Sequence, residues 1–105
     1  MKLYPGCIGE YKKRHDEIWP GLTELLKAKG VSNYSIFIDD ENNCLFGVLD
    51  AEDEKLLHQL PNNPVMQQWW QYMSDIMETN NDNSPVSTPL KEVFYLAWNI
   101  TYGTT

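Results

Sequence analysis

The sequence predicts a small α+β domain of the ferredoxin-like kind, in which a βαββαβ order of elements builds an antiparallel sheet with both helices on one face. Three observations lead there: the length, the alternation of helical and strand periodicity, and strand segments that are apolar on both sides. With 105 residues the chain can close one two-layered core and has no room for a second. A hydrophobic fraction of 42% and a charged fraction of 22% are those of a globular protein, not a disordered one.

Residues 1–4 (MKLY) form the end of a very short strand, stopped by the Pro5-Gly6 turn signal. From Gly9 to Lys29 the apolar residues Tyr11, Ile18, Trp19, Leu22, Leu25 and Leu26 recur at helical spacing, and Gly30 ends the pattern. Pro20 removes a backbone donor inside that stretch, so a kink or break is expected between Asp16 and Trp19. Residues 33–39 (NYSIFID) and 44–50 (CLFGVLD), separated by Asp40-Glu41-Asn42-Asn43, predict a hairpin. In its first strand Tyr34, Ile36 and Ile38 share one face and Ser35 and Phe37 the other.

A short charged helix is expected over residues 51–60, closed by Pro61-Asn62-Asn63. A second helix, residues 64–77, starts with Asn63 as N-cap and Pro64 at its first position. Residues 80–89 (NNDNSPVSTP) have loop composition, and residues 92–98 (EVFYLAW) are expected to be the closing strand. Because Ile36 neighbours Phe37 and Val48 neighbours Leu49, the sheet face away from the helices needs a cover. A second copy of the chain is the economical one.

The charge narrows the partners. Fifteen Asp and Glu against eight Lys and Arg leave a formal charge of −7, which argues against nucleic acid and against an anionic membrane surface. No apolar stretch approaches the length of a membrane span, and the N-terminus lacks a secretory core, so a cytoplasmic location is expected. Cys7 and Cys44 have no metal-ligand spacing and are expected to be packed thiols.

Of two histidines, His15 has the suggestive setting: it lies four residues after Tyr11 and four before Trp19, so on a regular helix the three share a stripe. An imidazole titrating near neutrality can give or take a proton; the same spacing also suits a histidine that only packs. His58, on the short charged helix, is expected to face water. Trp69 and Trp70 are adjacent and diverge by about 100° around a helix, so one of them must leave the core and could wall a cleft or meet a partner. The polar loop residues Asn80 to Ser84 could bind hydroxyl groups or simply face water. The carboxylates form no recognisable metal set, and there is no phosphate-binding glycine loop.

Four strings, EYKKRHDEIWPGL, SNYSIFID, QQWWQYMSDIM and NDNSPVSTPLKEVFYL, occur in an order and at gaps that resemble the L-rhamnose mutarotase family, over residues 1–96. The resemblance implies a single ferredoxin-like domain whose two copies close a dimeric α+β barrel. It implies interconversion of the α and β anomers of L-rhamnose without a cofactor or metal. The histidine of the family's RRH motif corresponds to His15, reached here through KRH, and is the implied proton donor. Tyr11, Tyr34 and the paired Trp69 and Trp70 correspond to substrate-contacting positions. Two departures stand out. Family members carry more strand residues ahead of the position of Met1, so the first strand is expected to be truncated. Residues 97–105 extend past the usual end, with three roles open: replacing lost pairing, covering the dimer, or lacking structure.

Two alternatives remain at this stage. One is a haem or cofactor-poor oxygenase of the dimeric α+β barrel kind, with a helix histidine as haem ligand. The other is a non-catalytic sugar-binding dimer in which His15 and the tryptophans only pack.

Overall fold

The structure, a computed structural model, describes residues 1–96. The tail 97–105 and the last two positions of the expected closing strand lie outside the described residues. In chain order the elements are α1 (Ile8–Asp16), α2 (Pro20–Ala28), β1 (Val31–Asp39), β2 (Cys44–Ala51), α3 (Glu54–Leu57), a 3₁₀ turn (Leu60–Asn62) and α4 (Pro64–Met73).

The helical stretch breaks where Pro20 demands it. Trp19 adopts an extended conformation as N-cap of α2, with Pro20 in the first turn, where its missing N–H costs nothing. Gly30 at φ +80° ends α2, and its left-handed backbone is one that glycine takes without strain. Asn63 caps α4 as the sequence predicts, its Oδ1 accepting from the Val65 N–H at 2.9 Å. The expected helix over 51–60 is shorter, because β2 runs on to Ala51 and Asp53 caps α3 by accepting from the Lys55 N–H. His58 is exposed.

β1 and β2 pair antiparallel, with Phe37 opposite Phe46 and Ile38 opposite Leu45. The sheet continues through short pieces of backbone. Met1–Leu3 lies beside β2, the Leu45 N–H donating to the Met1 carbonyl at 2.7 Å and the Leu3 N–H to Asn43 at 2.9 Å. On its other side Ile76–Glu78 pairs with Lys2 and Tyr4, and the Val86 N–H donates to Glu78. The first segment therefore sits between the hairpin and the segment that follows α4, the neighbour relation of the ferredoxin-like arrangement.

This corrects one element of the expected order. Ile76–Glu78 occupies the closing position, and α4 accordingly ends at Met73 instead of Met77. Ile76 and Met77, which fit a helical period, are 5% and 3% exposed and pack into the core beyond the end of α4. Residues 92–96 form no strand within the chain. Their side chains stand in the open, Val93 at 90% and Phe94 at 77% exposure.

Opposed residues of an antiparallel pair share a face, so the register separates the two sides. Ile36, Ile38 and Leu45 face the helices, and Ile36 and Leu45 join a core of Leu3, Leu22, Trp69 and Met73. Phe37, Phe46 and Val48 form the outer side, where Phe37 and Val48 are 60% and 58% exposed. The face that the sequence left uncovered is uncovered in the single chain. Cys7 and Cys44 carry free, half-buried thiols, and no helix of the described residues is long and apolar enough to cross a membrane.

Candidate active site

Between the helical layer and the sheet lies a cleft of about 670 Å³, within the range that holds a small ligand. All five candidate residues, Tyr11, His15, Tyr34, Trp69 and Trp70, line it. Each arrives by a different local device.

α1 supplies Tyr11 and His15 at i and i+4, so their rings overlie one another, stacked at 4.2 Å between centroids and 26° between planes. His15 Nδ1 lies 3.0 Å from the Tyr11 carbonyl oxygen. A carbonyl only accepts, so Nδ1 carries the hydrogen and Nε2 is left with its lone pair. Burial lowers the His15 pKa below its ordinary 6.5, against a smaller opposing pull from the Tyr11 carbonyl and the Asp16 charge. At neutral pH the resting ring is therefore neutral, with an acceptor nitrogen.

α4 supplies the tryptophans and resolves which one leaves the core. Trp69 is 6% exposed, with its ring edge-on to His15 at 5.3 Å and to Trp19 at 5.1 Å. Trp70, one residue on, is half-buried along the wall of the cleft. Trp19 remains with this group although the helix breaks before it, and it stacks on Tyr72 at 5.5 Å.

Arg14 locks α1 to α4 behind the aromatic cluster. Its guanidinium sits 4.5 Å above the Tyr72 ring and donates to the Tyr72 carbonyl at 2.7 Å, to Asp75 at 2.8 Å and to Glu10 at 2.8 Å. Those contacts fix the relative rotation of the helices that carry His15 and Trp69.

Tyr34 reaches the cleft by strand alternation, on the face it shares with Ile36 and Ile38, and a local irregularity lies beside it. The register of the hairpin shifts between Ser32 and Ser35, with Asn33 at φ +47°. The Tyr34 ring lies over Gly47; a Cβ there would stand 3.5 Å from Tyr34 Cε1 and Oη. Burial raises the pKa of Tyr11, with a smaller push from Tyr34, and burial raises that of Tyr34 too. Both hydroxyls stay protonated at neutral pH and can donate hydrogen bonds.

Four further polar lining residues, Lys12, Asp16, Thr23 and Asn83, escaped the candidate set. Lys12 and Asp16 form an exposed i,i+4 ion pair at 2.8 Å beside the mouth, one step around the helix from Tyr11 and His15; that offset was the available signal. Asn83 comes from the polar loop, whose composition named a region without singling out a residue.

A family model described as L-rhamnose mutarotase matches residues 1–96. A curated protein of that name from Mesorhizobium japonicum is 59% identical over 97 residues, covering 92% of this chain and 92% of that protein. Another from Jannaschia sp. is 54% identical, over 91% of this chain and 92% of its own length. A crystal structure of an L-rhamnose mutarotase from Formosa agariphila superposes with a TM-score of 0.86 at 52% identity, covering 92% of this chain and 93% of that one.

Proposed function

Because the chain belongs to the L-rhamnose mutarotase family, we propose that it interconverts the α and β anomers of L-rhamnose, with residues 1–96 as the catalytic domain. The observation that carries the chemistry is the free Nε2 of a neutral His15, held between Tyr11 and Trp69 in the cleft. The oxygenase and sugar-binding alternatives have no support among relatives that all carry the mutarotase name.

Mutarotation opens a cyclic hemiacetal and closes it on the other face of the carbonyl. In our reading Nε2 takes the proton of the anomeric hydroxyl as the bond from C1 to the ring oxygen breaks and the C1 carbonyl forms. The imidazolium then returns that proton to the former ring oxygen. Both oxygens are bonded to C1, so one nitrogen serves both, and histidine ends neutral. Rotation about C1–C2 and the reverse sequence give the other anomer. Tyr11 and Tyr34, whose hydroxyls are protonated at neutral pH, donate hydrogen bonds to whichever oxygen carries developing charge. Trp69 and Trp70 wall the apolar faces of the pyranose and its 6-methyl group. Positioned proton transfer is worth about 10²–10⁴-fold, which suits a reaction with a modest barrier.

The assembly in this reading is a homodimer in the cytoplasm, where Cys7 and Cys44 stay reduced. The outer sheet face, with Phe37, Phe46 and Val48, and the segment of residues 90–96, with Leu90, Val93 and Phe94, both present apolar surface that a second copy would cover.

The test is magnetisation exchange between the two anomeric protons of L-rhamnose. Enzyme should accelerate it, and His15→Ala should keep the fold while losing about 10²–10⁴ of the rate. Equal exchange with and without the protein refutes the activity. A full rate in His15→Ala removes the imidazole from it.

A further inference from the structure

We infer that Asn83 reads the sugar's hydroxyl groups from the part of the cleft wall it shares with Trp70, an assignment that rests on the mutarotase reading for the identity of the sugar. Tyr11, His15 and Trp69 are clustered ring against ring in the cleft. Trp70 and Asn83 border both the cleft and an adjoining surface groove. The lining is mostly aliphatic and aromatic, and Asn83 is the one side-chain amide in it among the described residues. A ring hydroxyl that faced only the rings and methyl groups of this lining would lack a partner, at a cost that an amide removes.

The loop is built to hold that amide still. Thr79 bridges to Pro85, and the Asn80 N–H donates to the Ser84 carbonyl at 2.7 Å. Asn80 Nδ2 donates to Ser84 Oγ at 3.0 Å, while Asp82 accepts from both the Ser84 N–H and its hydroxyl. These side-chain bonds run among the neighbours of Asn83 and leave its own amide out. Its backbone N–H donates to the Asn80 carbonyl at 2.9 Å, in a left-handed conformation with φ +69° that asparagine tolerates better than most residues. The half-buried side chain has no hydrogen-bond partner among the described residues and is open to a ligand, and an amide offers a donor and an acceptor side by side, which matches a vicinal diol.

Asn83→Gly tests this without straining the backbone, since glycine accepts the positive φ. Binding is measured by tryptophan fluorescence and turnover by anomer exchange, for L-rhamnose and its 3-deoxy and 4-deoxy analogues. Asn83→Gly should keep the thermal midpoint of the parent and bind L-rhamnose about 10-fold to 100-fold more weakly, with kcat little changed. The penalty should shrink on the analogue that lacks the hydroxyl read by the amide. An equal penalty on all three sugars, or none on L-rhamnose, overturns the assignment. Absence of exchange in the parent protein would refute the mutarotase reading instead, because the fluorescence titrations still report Asn83 against the hydroxyls.

Discussion

Replacing Trp69 by alanine should damage folding, while the same change at Trp70 should damage sugar binding, although the two residues adjoin. Trp69 is 6% exposed and has ring neighbours in His15, Trp19 and Tyr72 at 5.3, 5.1 and 5.7 Å. Deleting a buried indole costs about 3–5 kcal/mol, a large share of the roughly 5–15 kcal/mol that holds a small domain together. At about 4–8 °C per kcal/mol for a domain of this size, the thermal midpoint should fall by about 12 °C or more. Trp70 is half-buried on the cleft wall, so its loss forfeits a stacking contact of about 0.5–1.5 kcal/mol. That corresponds to about a 2-fold to 12-fold rise in KM. The assays are thermal unfolding at one protein concentration, which keeps any dimer contribution constant, and anomer exchange across sugar concentrations. A larger drop in midpoint for Trp70→Ala than for Trp69→Ala would refute the assignment of faces.

Three more outcomes follow from the same geometry. Because the His15 pKa is lowered, chiefly by burial, and the acting form is neutral, kcat/KM should climb with pH through an apparent value below 6.5 and then level; a decline across that range would make imidazolium the acting form. The matching stability term has the same sign, present above the unfolded value near 6.5 and lost as pH falls through the folded one. Gly47→Ala should be tolerated, since its Cβ meets Tyr34 at 3.5 Å, whereas Gly47→Val should displace the tyrosine and raise KM about 10-fold, and parental kinetics for the valine variant would show that Tyr34 does not bind sugar. Phe94→Asp should leave the fold of one chain intact, because Phe94 is 77% exposed there, but raise the dimer dissociation constant about 10-fold to 150-fold; an unchanged value in analytical ultracentrifugation would take this segment out of the interface.

Much of the fold is legible from local chemistry. Pro20 had to end one helix and begin another, Asn63-Pro64 had to start α4, and the Asp40 to Asn43 turn had to join two strands, because each effect acts within a few residues. The ends of elements were less legible. Ile76 and Met77 continue the apolar period of α4, and only the bonds of their segment across the sheet, the Tyr4 N–H donating to the Ile76 carbonyl and the Glu78 N–H to the Lys2 carbonyl, over 70 residues away in sequence, make it the closing strand. The same competition left residues 92–96, a good strand by composition, without a place in their own sheet.

The site divides in the same way. Tyr11 and His15 pair by the i,i+4 rule, Trp69 and Trp70 stand out by their divergence around one helix, and resemblance adds Tyr34 and the substrate-contacting role; all five meet in one cleft. What the amino-acid order determined was chemical capacity: an imidazole within a turn of a tyrosine, two indoles side by side, and an acidic chain with a net charge of −7. Which indole is buried, which imidazole nitrogen keeps its lone pair, and that Asn83 borders the cleft were decided by tertiary structure. Those properties depend on what lies opposite a side chain once distant segments have packed, and neither periodicity nor composition carries that information.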